Sequence, residues 1–264
     1  MTKPSFLNSR EHRTRRNIVK VGAILGAVAL AKVGRARAAA PLVFRGPLSC
    51  LLRGTNVRTA AGDRKVEDLS IGDLLQTEFS GVRPIQWIAR FPIKKSDPSR
   101  PWPKEASPVR IARSALAPDV PQADLVITAP HAVLIDGLLI PAGNLVNGTT
   151  IRLEAREEDE LEFFHIKMES HDAIYAEGTA VETMLGVNEG AVNFAEYFRM
   201  YGMPKTSGTV CALFVSYGGE RDQLKSRIRS AVSPWVDRRE QIDVIRDRLE
   251  ERAVALTREL APSI

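Results

Sequence analysis

Few side chains in this sequence can do chemistry, and they are unevenly spread. There are two cysteines, Cys50 and Cys211, and three of the four histidines, His131, His165 and His171, fall in the middle third of the chain. Two cysteines do not make a disulfide framework. Each is therefore a small buried thiol, half of a Cys50–Cys211 bridge in an oxidising compartment, or a nucleophile. The run Thr128-Ala129-Pro130-His131 places a hydroxyl and an imidazole three residues apart. His165 and His171 suggest a metal, but no third ligand stands at a workable spacing, so neither metal nor cofactor is expected. No phosphate-binding loop, nucleotide fingerprint or paired-carboxylate signature is present, which places an enzyme acting on a separate substrate last among the options.

The elements around these residues are short. From Cys50 onward, apolar-alternating runs are separated by turn residues: Asn56–Thr59, Pro84–Ile88, Asp124–Thr128, Ala132–Ile135, Phe163–Met168 and Ala173–Ala176. Many short strands at close spacing predict a mainly β domain. The proline-rich stretch from Lys94 to Pro108 is expected to be a surface loop. An internal repeat runs through the domain: Gly62 is followed by Val66, Leu69 and Gly72, and Gly137 by Ile140, Leu145 and Gly148. A duplicated β unit would bury its apolar faces against its twin. Past residue 190, Val210–Tyr217 reads as one more strand, closed by Gly218-Gly219. Pro234 then opens a long amphipathic helix with its apolar stripe at Ile242, Ile245, Leu249, Ala253, Leu256 and Leu260. Charges of both signs cover its other faces, so the stripe is expected to pack on the β domain or on a copy of itself rather than on a membrane.

The composition is that of a globular chain, with 44% apolar and 26% charged residues in 264. Its formal charge of +5 suggests nucleic acid until its location is noted. Nine of the 37 basic residues and one of the 32 acidic ones lie in residues 1–40, leaving 28 basic against 31 acidic in the remainder. The body thus has no electrostatic case for DNA or RNA. The leader reads as an export signal. Arg15-Arg16-Asn17-Ile18-Val19-Lys20 is followed by the weakly apolar run Val21–Ala31 and the small-x-small pattern Ala36-Arg37-Ala38, with cleavage expected after Ala38. The paired arginines and trailing lysine are similar to the twin-arginine signal of bacteria. The apolar run falls well short of the ~20 residues of a spanning helix, so membrane contact is expected only through the leader during export. The expected destination is the periplasm or the outside of a bacterial cell. The expected organisation is a signal at 1–38, a lead-in at 39–49, the β domain at 50–190 and a helical extension at 191–264.

Four ordered blocks in the β domain resemble the Hint (hedgehog/intein) family, and a bacterial branch of it that stands apart from inteins. Cys50-x-x-x-Gly54-Thr55-x-Val57-x-Thr59, with Val66-Glu67-Asp68-Leu69-x-x-Gly72-Asp73, is similar to the opening of Hint modules, where the cysteine starts the domain. Thr128-Ala129-Pro130-His131 looks like their TxxH block. Phe164-His165-Ile166-x-x-Glu169-x-His171-Asp172 resembles the late block that supplies a second histidine, and Ile174-x-Ala176-Glu177-Gly178 closes the set. The resemblance implies a β horseshoe of two pseudo-symmetric subdomains. It also implies a single-turnover, cysteine-dependent autoprotease whose substrate is its own N-terminal segment. Cys50 would attack the carbonyl of Ser49 and turn the Ser49–Cys50 amide into a thioester. His131 would protonate the leaving nitrogen, Thr128 would orient that imidazole or bond the scissile peptide, and His171 would assist later. A ~12° twist in ω stores only about 1 kcal/mol, so positioning and protonation must do most of the work.

The sequence departs from the inteins after the fourth block. It reads Val181-Glu182-Thr183-Met184, without the His-Asn that splicing requires. Hydrolysis of the thioester, or its transfer to an unidentified nucleophile such as an amine, is expected instead, and no segment suits a sterol. Cleavage before Cys50 would release little more than the leader. Cleavage is therefore triggered after export, or trims only Ala39–Ser49, or has been lost. In that last case an exported Hint-like domain serves as a binding or structural module, meeting a partner through its C-terminal helix.

Overall fold

The computed structural model describes residues 49–103, 107–187, 189–203, 209–216, 220–234, 237 and 239–259. The leader, its cleavage position at Ala38, most of the lead-in, Tyr217 to Gly219 and Leu260 lie outside the described residues. The protein is mainly β, with two sheets and three helices among the described residues. The strands are β1 (Leu51–Leu52), β2 (Asn56–Thr59), β3 (Gly62–Lys65), β4 (Leu74–Thr77), β5 (Gly81–Pro84), β6 (Trp87–Lys94), β7 (Val109–Ile111) and β8 (Leu125–Ile127). They continue as β9 (Ala132–Ile135), β10 (Leu138–Pro141), β11 (Ile151–Leu153), β12 (Glu160–Lys167), β13 (Ala173–Ala176), β14 (Thr179–Glu182) and β15 (Leu213–Phe214). One sheet has the order β11-β7-β8-β1-β12-β6; the other runs β15-β10-β9-β14-β13-β2-β4-β5, with β3 paired to β2.

The two longest strands, β6 and β12, pair antiparallel from Lys94 opposite Glu160 to Trp87 opposite Lys167. Alternation sorts their side chains onto two cores. Trp87, Ala89, Phe91 and Ile93 on β6 join Leu161 and Phe163 on β12 and bury Cys50 among them. Ile88, Phe164 and Ile166 point the other way, into the larger core. Residues 84–88, expected as one strand, straddle the end of β5 and the start of β6. The chain changes sheets there: Ile85 N–H donates to Asp73 O, while Gln86 N–H donates to Lys167 O on β12. The described part of the proline-rich stretch is irregular beyond Lys94, with Trp102 tucked in and its Nε1 donating to Glu158 O at 2.8 Å.

The internal repeat has a structural counterpart. In each copy a strand (β1 or β8) leads through a short turn (Arg53–Thr55 or Thr128–His131) to a hairpin (β2–β3 or β9–β10) and then directly into a short 3-10 turn, Val66–Asp68 or Ala142–Leu145. Thr55 N–H donates to Leu52 O as His131 N–H does to Thr128 O. Val66 N–H donates to Thr55 O as Ala142 N–H does to His131 O. Asp136 and Gly137 turn the second hairpin with φ of 49° and 77°, the two left-handed residues that a tight type I′ turn needs.

The extension after residue 190 is more helical than its sequence suggests. It contains α1 (Phe194–Tyr201), α2 (Glu220–Val232) and α3 (Gln241–Glu259). Of the described part of the expected strand, Leu213–Phe214 is formed, parallel to β10. Ile242, Ile245 and Leu249 of the α3 stripe are buried in the larger core. The helix expected to open at Pro234 begins at Gln241, and an earlier helix, α2, ends at Val232. Helix α2 lacked a legible stripe: its Leu224 and Ile228 are exposed. A bidentate pair joins it to α3, Arg229 donating to the fully buried Asp243 at 2.6 and 3.1 Å. Helix α1 docks beside β6, its Tyr197 ring 5.1 Å from that of Trp87.

Candidate active site

Three chain segments meet at one end of β1: the residues entering it, the turn between β8 and β9, and the end of β14. Strand β1 lies between β8 and β12, so Cys50 is carried into the interior by strand pairing on both sides. Cys50 O accepts from Thr128 N–H at 3.0 Å, and the Cys50 N–H donates to Thr128 Oγ1 at 2.8 Å. The nitrogen of the Ser49–Cys50 peptide is thus held by the Thr128 hydroxyl. On the other side of that peptide, Ser49 Oγ reaches Pro130 O at 3.4 Å. The TxxH spacing has a local cause. The turn closes on His131 N–H donating to Thr128 O, which places the imidazole one turn beyond the hydroxyl.

His131 is fully buried. Its Nε2 donates to Glu182 O at 3.1 Å, so this nitrogen carries the proton and Nδ1 keeps its lone pair. Nδ1 has no hydrogen-bond partner among the described residues. Burial lowers the imidazole's pKa, against the opposing pull of the Glu182 carboxylate and of backbone groups of Cys50 and Glu182. The ring of His165 lies 5.2 Å from that of His131, and burial, with the neighbouring imidazole, takes its pKa down to about 3. His165 comes here through strand alternation, on the β12 face that also carries Leu161 and Phe163.

At the centre of the three imidazoles stands Glu182, the last residue of β14. Its Oε1 accepts from Ala132 N–H at 2.9 Å, and its Oε2 lies 3.8 Å from His171 Nε2. Burial pushes this carboxyl up, but His171, His131, His165 and the Ala132 N–H together outweigh burial and hold it below the usual carboxylate range. The Cys50 thiol moves the other way: burial, reinforced by the Glu182 charge, raises it well above an ordinary thiol. The resting site is therefore a protonated thiol, a neutral His131 and an ionised carboxylate.

The structure brings Ser49, Cys50, Thr128 and His131 together. His171 stands at one remove, reaching the group through Glu182; its Nδ1 accepts from Cys211 N–H at 3.1 Å. Cys50 and Cys211 are both free thiols, and Cys211 is raised to about 11 by its partial burial and by nearby Asp172 and Glu182. Sequence reasoning missed Glu182, reading the position only as the place where His-Asn is lacking. The available signal was a carboxylate ending the apolar strand Thr179-Ala180-Val181. It likewise weighed His165 only as a metal ligand. Among the described residues no group of three or more His, Cys, Asp and Glu is arranged to hold a metal ion.

A pocket of about 380 Å³ opens on this cluster, with Cys50, His165 and Glu182 in its wall and Phe91, Pro130, Pro141, Met184 and Phe214 around them. A larger space, about 800 Å³, lies against α3 beside Asn147, Thr149 and Arg227, and none of its lining residues is a cysteine or histidine.

A family model described as "Hint domain" matches residues 49–188, more than half of the chain. Among solved structures, the gp41-1 intein is 15% identical, covering 50% of this chain and 97% of its own, with a TM-score of 0.35. A bacterial intein-like domain from Clostridium thermocellum is 12% identical, with 52% and 99% covered and a TM-score of 0.37. A DnaB intein from Synechocystis is 13% identical, with 52% and 99% covered and a TM-score of 0.34. No curated protein matches the chain.

Proposed function

The chain belongs to the Hint domain family, and from that premise and the geometry of the site we propose that it cleaves itself at Ser49–Cys50 by an N-to-S acyl shift. One observation carries the reading: the scissile N–H is held by Thr128, on the same turn that delivers a neutral, buried His131. His131 Nδ1 takes the proton of the Cys50 thiol as Sγ attacks the carbonyl carbon of Ser49. The imidazolium then returns that proton to the Cys50 nitrogen as the C–N bond breaks. A thioester and a free α-amine result. His131 thus serves as base first and as the acid on the leaving nitrogen second. The transient imidazolium forms beside the Glu182 carboxylate, which favours it electrostatically. His171 holds that carboxylate from the far side.

Water or an amine ends the sequence by taking the acyl group. Splicing is no part of this proposal. Thr183 and Met184 follow β14, and the Thr183 hydroxyl accepts from Asp172 N–H at 2.9 Å. We further propose that the leader directs twin-arginine export to the periplasm or beyond, with removal after Ala38. Self-cleavage then releases only Ala39–Ser49. A latent site suits this order, because the buried, protonated thiol is quiet until its environment changes. The same latency supports a second reading, an exported Hint-like module that binds a partner without cutting itself.

Incubation of the purified full chain with dithiothreitol separates the two. A thioester-forming protein is cut at Ser49–Cys50, and the cut disappears in Cys50→Ala. An uncut wild-type chain leaves the binding module.

A further inference from the structure

The pocket beside Cys50 has an unusual balance of groups. Its apolar wall (Phe91, Pro130, Pro141, Met184 and Phe214) surrounds one ionised carboxylate, Glu182, and an imidazole, His165, whose Nε2 has no hydrogen-bond partner among the described residues. Both residues are more than nine-tenths buried. Among the described residues no lysine or arginine lines the pocket. Across the carboxylate, His171 Nε2 lies 3.8 Å from Glu182 Oε2. The walls thus hold negative charge and an unsatisfied nitrogen inside an apolar enclosure. A neutral, fully apolar occupant would leave the His165 nitrogen unpaired and put nothing of opposite charge on the carboxylate, and an anion would be repelled. A primary ammonium on an apolar chain satisfies all three features, with its head on Glu182 and His165 and its chain against the aromatic and proline walls. Phe214, 40% exposed, stands at the pocket's outer edge, where such a chain would enter.

We propose that this pocket is the acceptor site of the reaction and takes an apolar primary amine, transferring the acyl group of Ser49 to it as an amide. The proposal rests on the thioester reading above. Glu182 takes one proton from the bound ammonium, and the freed nitrogen lone pair attacks the thioester carbonyl carbon. The C–S bond breaks, and the Cys50 sulfur leaves with the bonding pair. The second nitrogen proton lost on amide formation passes to that sulfur and regenerates the thiol. The proton held by Glu182 goes to solvent when the product departs. No oxidant or reductant is needed.

The test compares nucleophiles on the full chain, reading the mass of the released fragment ending at Ser49. Hexylamine, methylamine, neutral methoxyamine and dithiothreitol are offered at equal concentration to the wild type, Glu182→Gln and Phe214→Ala. Glu182→Gln keeps an oxygen for the Ala132 N–H, and thermal melting checks that it folds. The expected wild-type result is a hexylamide formed about tenfold faster than the methylamide. In Glu182→Gln the ratio of hexylamine to dithiothreitol cleavage should fall about tenfold or more, and in Phe214→Ala the hexyl-over-methyl preference should shrink. Should Glu182→Gln fail to fold, the wild-type and Phe214→Ala preferences decide alone. Cleavage by methoxyamine and dithiothreitol with no hexylamine preference overturns the acceptor proposal and leaves the acyl shift standing. If no reagent cuts the wild type at Ser49–Cys50, the acyl shift fails and the acceptor proposal fails with it.

Discussion

The two copies of the internal repeat use one backbone for different ends. In the first, the turn Leu52–Thr55 enters the hairpin β2–β3; in the second, Thr128–His131 enters β9–β10. Two backbone hydrogen bonds recur in both turns, the one that closes the turn and the one that ties it to the following 3-10 turn. The correspondence extends to their surroundings. The N–H after each turn, of Asn56 or Ala132, donates to a glutamate of the β13–β14 hairpin: Glu177 at 2.6 Å or Glu182 at 2.9 Å. What differs is the side chains. Thr55 spends its hydroxyl on Leu52 O, whereas the equivalent position in the second copy is His131, and Thr128 stands where the first has Leu52. Burial differs too. Strand β3 is exposed along its length, while β10 is buried at three of four positions, covered by β15 and the α3 stripe. A duplicated frame supplies geometry twice; the proposed chemistry belongs only to the copy whose turn carries the hydroxyl and imidazole and lies under cover.

Making the second turn resemble the first should have the largest effect. His131→Thr removes the proton carrier and should slow thiol-induced cleavage by about 10²- to 10⁴-fold, the usual scale of general acid–base catalysis. Thr55→Ala should leave the rate within about twofold, since catalysis of this kind needs a group at the scissile bond. Gel densitometry of the cut over time measures both. Equal slowing by the two substitutions would erase the distinction between the copies.

Stability should follow burial in the same way. Leu139→Ala, at a fully buried β10 position, should cost about 2–5 kcal/mol. Asp63→Ala on β3, whose carboxylate makes only a 3.8 Å exposed pair with Arg58, should stay within about 0.5 kcal/mol. Urea denaturation resolves the two.

Acid should weaken the covered side. His131 and His165 are both depressed by burial, His165 to about 3, so the unfolded chain binds protons that the folded chain refuses. Stability is then complete above the unfolded histidine pKa near 6.5 and declines below it, by roughly 1 kcal/mol or more per pH unit at the steepest. Glu182, also depressed, adds to the loss at lower pH. Thermal melts from pH 7 to pH 4 should fall less steeply in His131→Thr.

The smallest effect concerns the paired glutamates. Glu182 raises the Cys50 thiol by its charge, so Glu182→Gln should lower that pKa, while Glu177→Gln should leave it in place. Alkylation rates against pH report the shift.

Much of this was legible in the sequence because it was local. The alternation of Ala132–Ile135 and Ala173–Ala176, the Asp136-Gly137 turn and the spacing from Thr128 to His131 each state their own geometry. So does the stripe of α3, whose Ile242, Ile245 and Leu249 reach the core. What stayed hidden was set by distant partners. Glu182 gains its role only when β14 is placed beside β9, 50 residues away in sequence for the Ala132 bond. Helix α2 is held to α3 by the Arg229–Asp243 pair rather than by an apolar stripe, so its periodicity gave no sign. His165 looked like half a metal site because nothing in its neighbourhood revealed that strand alternation would set it against His131.

Intact-mass analysis of the chain as purified, beside Cys50→Ala prepared identically, bears most directly on whether the protein severs its own backbone. A species whose first residue is Cys50, growing with time once hydroxylamine is added to the wild type and missing from the variant, is the predicted result. A wild-type chain that keeps residues 39–49 indefinitely, even with hydroxylamine present, would contradict it.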